Sequence, residues 1–187
     1  MKKVLLLTLV LTAALPALAQ EIELNEDGAY EKKEVVVVDS VEAAVLYSRA
    51  MEALSDWTGP DGKAKVGVDF HDRETGTVIY KGTFSLGFKS TLLGSGWNRY
   101  ADFVLKVKCK DGKAQVTVTV DKIVAIYNRD NITSTSSLRE LVETIRKAKK
   151  AKHERGVKLI DDLKETVDLI AASMAKRLQE GNDDDDF

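Results

Sequence analysis

Asp69 and His71 are the two side chains in this sequence best spaced for acid–base chemistry. Residues two apart on an extended strand project from the same face, so a carboxylate there would stand beside an imidazole and orient it as a general base. Trp97 follows the flexible stretch Gly94-Ser95-Gly96, an aromatic on a glycine loop of the kind that binding edges carry. Asp69, His71 and Trp97 are therefore the candidate contacts for a ligand or partner. The plainer account is that strand neighbours lie side by side by default and that Trp97 caps the end of a sheet. No nucleophile, oxyanion donor set or second base joins them in the pattern, so no catalytic residue is assigned.

Other chemistry is weaker. Cys109, the one cysteine, falls in phase with Phe103, Leu105 and Val107, which predicts a buried, inert thiol. His153 sits in the run Lys149-Lys150-Ala151-Lys152-His153-Glu154-Arg155 and reads as charged helix surface. Two histidines and one cysteine leave transition metals short of nitrogen and sulfur ligands, so neither metal nor cofactor is expected. The segment 82–90, GTFSLGFKS, has glycines and a Lys-Ser pair like a phosphate loop, but Phe88 intrudes and no helix follows to hold the phosphate. Asp183, Asp184, Asp185 and Asp186 form a solvated tail rather than a calcium loop, since a terminal run has no turn to converge its oxygens. Asp39-Ser40-Val41 matches a short O-glycosylation pattern, yet Ser40 is already used at a helix start.

The elements that would position these groups begin after residue 19. Lys2 and Lys3, the apolar run 4–15, and Ala17-Leu18-Ala19 make a Sec-type signal peptide cut between Ala19 and Gln20. The run is too short to cross a bilayer, which takes about 20 apolar residues. No cysteine follows the small residues, so a lipid anchor is not expected; the protein is read as periplasmic or secreted, without a transmembrane segment. Removing Lys2 and Lys3 leaves 26 bases against 30 acids, a net charge of about −4. That balance disfavours nucleic acid, whose phosphates need a positive face. A single cysteine rules out an internal disulfide, so packing must hold the fold.

Residues 20–30 read as a flexible leader. The β-branched run 34–38, EVVVV, predicts a strand buried on both faces. Asp39 to Glu42 then supply a capping-box start for a helix reaching Trp57, with Ala43, Tyr47, Ala50, Met51 and Leu54 on one face. Four alternating segments follow: Val66, Val68 and Phe70; Tyr80, Phe84 and Leu86; Ala101 through Cys109; and Val116, Val118 and Val120. Asp111-Gly112 marks the last hairpin. One apolar face per strand predicts a sheet covered on one side.

Residues 128–137 read as a linker loop. Beyond it Leu138, Leu141, Val142 and Ile145 take a helical period, and after the charged middle 146–155 so do Ile160, Leu163, Val167, Ile170, Met174 and Leu178. Gly156 marks a break between two helices, and 181–187 is the acidic tail. A stripe of that length must be covered, either by the sheet, by a second copy, or by an envelope partner docked on it. The basic stretch 146–155 lacks the bulky apolar residues of a membrane-surface helix.

The strand 34–38, the capped helix ending near Trp57, the hairpin Val68-Asp69-Phe70 to Ile79-Tyr80-Lys81-Gly82 through Gly76, and the strand Tyr100 to Val107 before Asp111-Gly112-Lys113 together resemble a family. It is a family of exported bacterial proteins described as a domain of unknown function with a TATA-binding-protein-like (TBP-like) fold. The resemblance covers about 31–126. It implies an α+β fold in the order β-α-β-β-β-β-α, with a curved antiparallel sheet, helices on one face, and a C-terminal helical extension over 138–180. It implies no functional residues, and the fold's name carries no DNA binding. The functional expectation is a non-catalytic binding or assembly module of the cell envelope. The alternative is a small-ligand-binding protein or enzyme using the sheet face around Asp69, His71 and Trp97.

Overall fold

The structure is a computed structural model and describes residues 22–55, 65–90 and 96–181. The signal peptide with its cut between Ala19 and Gln20, Trp57, Gly94-Ser95 and the Asp183 to Asp186 tail lie outside the described residues. The chain runs β1 (Tyr30–Val37), α1 (Ala43–Ser55), β2 (Lys65–Asp72), β3 (Thr77–Ser90), β4 (Gly96–Lys110), β5 (Lys113–Tyr127), β6 (Ile132–Ser137), α2 (Leu138–Arg146) and α3 (Lys150–Glu180). The strands pair antiparallel in the order β1-β5-β4-β3-β2, and β6 joins the far end of β5. The three described helices lie against one face of this sheet.

Alternation in the middle strands explains the covered face. Ala101, Phe103, Leu105, Val107 and Cys109 on β4 are buried, as are Val116, Val118 and Val120 on β5, while the residues between them face outward. Tyr80 on β3 joins them, its hydroxyl donating to the Ala50 carbonyl at 2.8 Å. Burial, followed by Tyr47 and Cys109, pushes the Tyr80 phenol up, so it holds its proton and stays a donor.

Five expectations are corrected. β1 is an edge strand: Val36 is buried but Val35 and Val37 are exposed, because only β5 pairs with it. The helix after β1 starts at Ala43, whose N–H is capped from across the fold by Asp111 at 2.8 Å, and Ser40 is instead a turn residue with φ of 66°. Its buried face is Leu46, Tyr47, Ala50 and Ala53. Val68 and Phe70 are half-exposed, since β2 is the other edge and a bulge breaks its alternation. The leader is tied down within its described part: Ile22 and Ala29 are buried, and Arg139 donates to the Glu26 carbonyl.

The fifth correction concerns the region after β5. Residues 132–137 are not a linker but β6, and Ser137 caps α2 in a full capping box with Glu140. α3 is one helix of 31 residues, about 46 Å long, and the break falls before it at 147–149 rather than at Gly156. Arg49 on α1 donates to the Leu178 carbonyl at 3.0 Å, and Arg177 on α3 donates to the Ala53 carbonyl at 3.2 Å. Each helix thus supplies a cation to the other's C-terminal carbonyls. The segment 138–180 shares one core with 31–127, the covering by the sheet being the outcome among the three alternatives for its stripe.

Candidate functional site

Asp69, His71 and Trp97 are not brought together. The bulge in β2 leaves Asp69 as an extra residue between Val68, opposite Tyr80, and Phe70, opposite Ile79. Asp69 therefore reaches Lys81 at 3.1 Å on the open side of the sheet. His71 lies opposite the buried Val78, and its Nδ1 sits 3.0 Å from the Tyr47 hydroxyl of α1. The extra residue separates the two side chains that strict alternation would have aligned. Trp97 packs on Tyr127 with ring centres 5.1 Å apart. It pairs with Lys89, whereas Val78 beside His71 pairs with Val107, ten residues further along β4 or roughly 30 Å.

Cys109 is buried, and burial pushes its thiol up to about 11. A thiol held protonated at neutral pH is a poor nucleophile. No group of three or more His, Cys, Asp or Glu side chains converges among the described residues, and none of the described helices is long and apolar enough to cross a membrane. The stripe Ile160, Leu163, Val167, Ile170, Met174 and Leu178 is buried against the sheet and α1, so it offers no face to a partner or second copy.

The residues that do converge lie at the elbow between α2 and α3. Capping by Ser137 and Glu140 launches α2, whose Leu138, Val142 and Ile145 turn inward. The chain then reverses over 147–149, and the His153 Nδ1 sits 3.0 Å from the Ile145 carbonyl, at the C-terminal end of α2. Gly156 lets the helices touch: a Cβ there would lie 2.4 Å from Ile145 Cγ1. Across from this elbow stand Lys89, near the end of β3, and Arg99, two residues before the buried Ala101 and in phase with it on the helix side of β4.

Lys89, Arg99, Lys152 and Arg155 surround a hollow of about 320 Å³ whose remaining wall is Leu141, Ile145 and Leu159 with Gly156. Among the described residues none of the four cations has a carboxylate within ion-pair distance. Burial comes first in lowering the Lys89 ammonium, followed by repulsion from Arg99, Arg155 and Lys152. Burial and then Arg155 act the same way on Arg99. An entering anion relieves the mutual repulsion, whereas burial penalises charge of either sign. Lys152 and Arg155 were legible as a basic run, but nothing along the chain links them to Lys89 and Arg99 more than fifty residues earlier.

A sheet of antiparallel strands with every helix on one face places the protein in the TBP-like class of α+β folds. Residues 33–123 match the model of a domain of unknown function (DUF4468) with TBP-like fold. Two crystal structures share the fold. A DUF4468 family protein from Bacteroides ovatus has 19% identity and a TM-score of 0.59, over 82% of this chain and 88% of its own. A TBP-like protein from Parabacteroides distasonis has 13% identity and a TM-score of 0.60, over 85% of this chain and 97% of its own. Those shares exceed what residues 33–123 alone could supply, so the common fold includes chain beyond the family match. No curated protein shows significant similarity to this sequence.

Proposed function

We propose that this protein is an exported binding module of the cell envelope, working without catalysis, and that it takes an anionic ligand at the α2–α3 elbow. The observation that carries the reading is the set Lys89, Arg99, Lys152 and Arg155 around one hollow, with no carboxylate among the described residues to neutralise them. Lys89, Lys152 and Arg155 are exposed and Arg99 is half-buried, so water screens part of their mutual repulsion, and a bound anion relieves the remainder. The separation of Asp69, His71 and Trp97 takes support from the alternative use of the sheet face. The signal-peptide pattern in residues 1–19 supports export.

The test uses protein released by osmotic shock from cells expressing the full chain, whose mass should correspond to a start at Gln20. Sodium phosphate should raise its melting temperature above that in sodium chloride of equal ionic strength, because a ligand that binds only the folded state stabilises it. Arg99→Gln should abolish that difference. An equal response in wild type and variant would count against the elbow as the site, and protein retained with residues 1–19 in the cytoplasm would count against export.

A further inference from the structure

We infer that the ligand of the elbow is a single-chain amphiphile, an acidic headgroup on an apolar tail; this rests on the reading of the elbow as an anion site. Size is the first argument. A hollow of about 320 Å³ holds on the order of ten waters at ~30 Å³ each, several times what a lone phosphate or sulfate fills. Wall chemistry is the second. Between the cations the lining is hydrocarbon from the half-buried Leu141 and the buried Ile145 and Leu159, with Ile145 seated against Gly156. A hydrated inorganic anion would leave the exposed edge of that wall, chiefly Leu141, in water, whereas an alkyl chain covers it.

The cations come from both sides of the mouth, Lys89 and Arg99 from the sheet and Lys152 and Arg155 from α3. Arg99 and Arg155 offer planar guanidinium forks suited to a carboxylate or phosphate head. Among the described residues the wall carries no aromatic ring on which a base or sugar would stack, which sets nucleotides and glycans behind an alkyl chain.

Calorimetric titration of the mature protein with inorganic phosphate, octyl phosphate and octyl glucoside separates the parts of this inference. Octyl phosphate should bind at least roughly tenfold more tightly than inorganic phosphate, the equivalent of two buried methylenes, and octyl glucoside should not bind. Leu141→Asn, on the half-buried edge of the wall, should erase the octyl advantage and leave phosphate binding in place. Arg99→Gln should weaken both anions. Equal affinity for phosphate and octyl phosphate would overturn the amphiphile while sparing the anion site. Octyl glucoside binding as tightly as octyl phosphate would also overturn it, since the acidic head would not be read. If neither anion binds, both readings fall together.

Discussion

Two of the places where charged side chains gather in this molecule treat them in opposite ways. On the open face of the sheet Lys81 lies 3.1 Å from Asp69, and Lys122 lies 3.3 Å from Asp102, which also accepts from the Thr83 hydroxyl at 3.0 Å. These pairs are half in water, so each contributes between nothing and about 1 kcal/mol. At the elbow Lys89, Arg99, Lys152 and Arg155 share a hollow with no such compensation. Around Asp69 and Asp102 the sheet face is compensated within the chain; among the described residues the elbow is not, and neither are the exposed Lys108, Lys110 and Lys113 at the far end of β4 and β5. What sets the elbow apart is that its cations come from the sheet and from α3 and share their hollow with Leu141, Ile145 and Leu159. The open-face depression lined by Lys81, Thr83, Asp102 and Lys122, at about 520 Å³, is the larger of the two and the less telling.

Three substitutions sharpen this contrast. The largest effect belongs to the floor under both regions. Leu163→Ala removes a fully buried side chain of the α3 stripe and should cost about 2–5 kcal/mol in a urea titration. A loss below about 1 kcal/mol would mean that the stripe is not core and would reopen it as a partner surface. Gly156→Val should cost less, about 1–3 kcal/mol, by forcing Ile145 aside, and should also remove the stabilisation by phosphate because the hollow is filled. A folded Gly156→Val protein that still responds to phosphate would place the anion elsewhere. Asp102→Ala breaks the exposed pair with Lys122 and should change stability by less than about 1 kcal/mol, with the phosphate response intact. A large loss there would show that the open face is not the passive region described.

Much of the fold was legible along the chain. The alternation of Phe103, Leu105, Val107 and Cys109 against Val116, Val118 and Val120, joined by Asp111-Gly112, locates the central hairpin and its covered face. The period from Ile160 to Leu178 locates the long helix, and the structure places that stripe on the sheet. Less was legible where a signal is local but quiet. Ser137 and Glu140 spell a capping box directly before Leu138, and that spacing was available to mark the end of β6. β6 itself, ITSTSS, has no apolar alternation because its described positions face water or the sheet's end.

Side-chain period and chain punctuation are properties of neighbouring residues, so the sequence by itself determined the central strands, the α3 stripe, the buried Cys109 and the α+β class. What is set by distant partners was decided only in the tertiary structure. One extra residue in β2, chosen by its pairing with β3, separates Asp69 from His71. Asp111 caps a helix 68 residues before it. The elbow joins Lys89 and Arg99 to Lys152 and Arg155 because Gly156 lets α3 close on Ile145 while β3 and β4 run long enough to reach beneath. Electrostatic interaction depends on distance in space, and no local pattern encodes a distance between segments that the chain brings together only by folding.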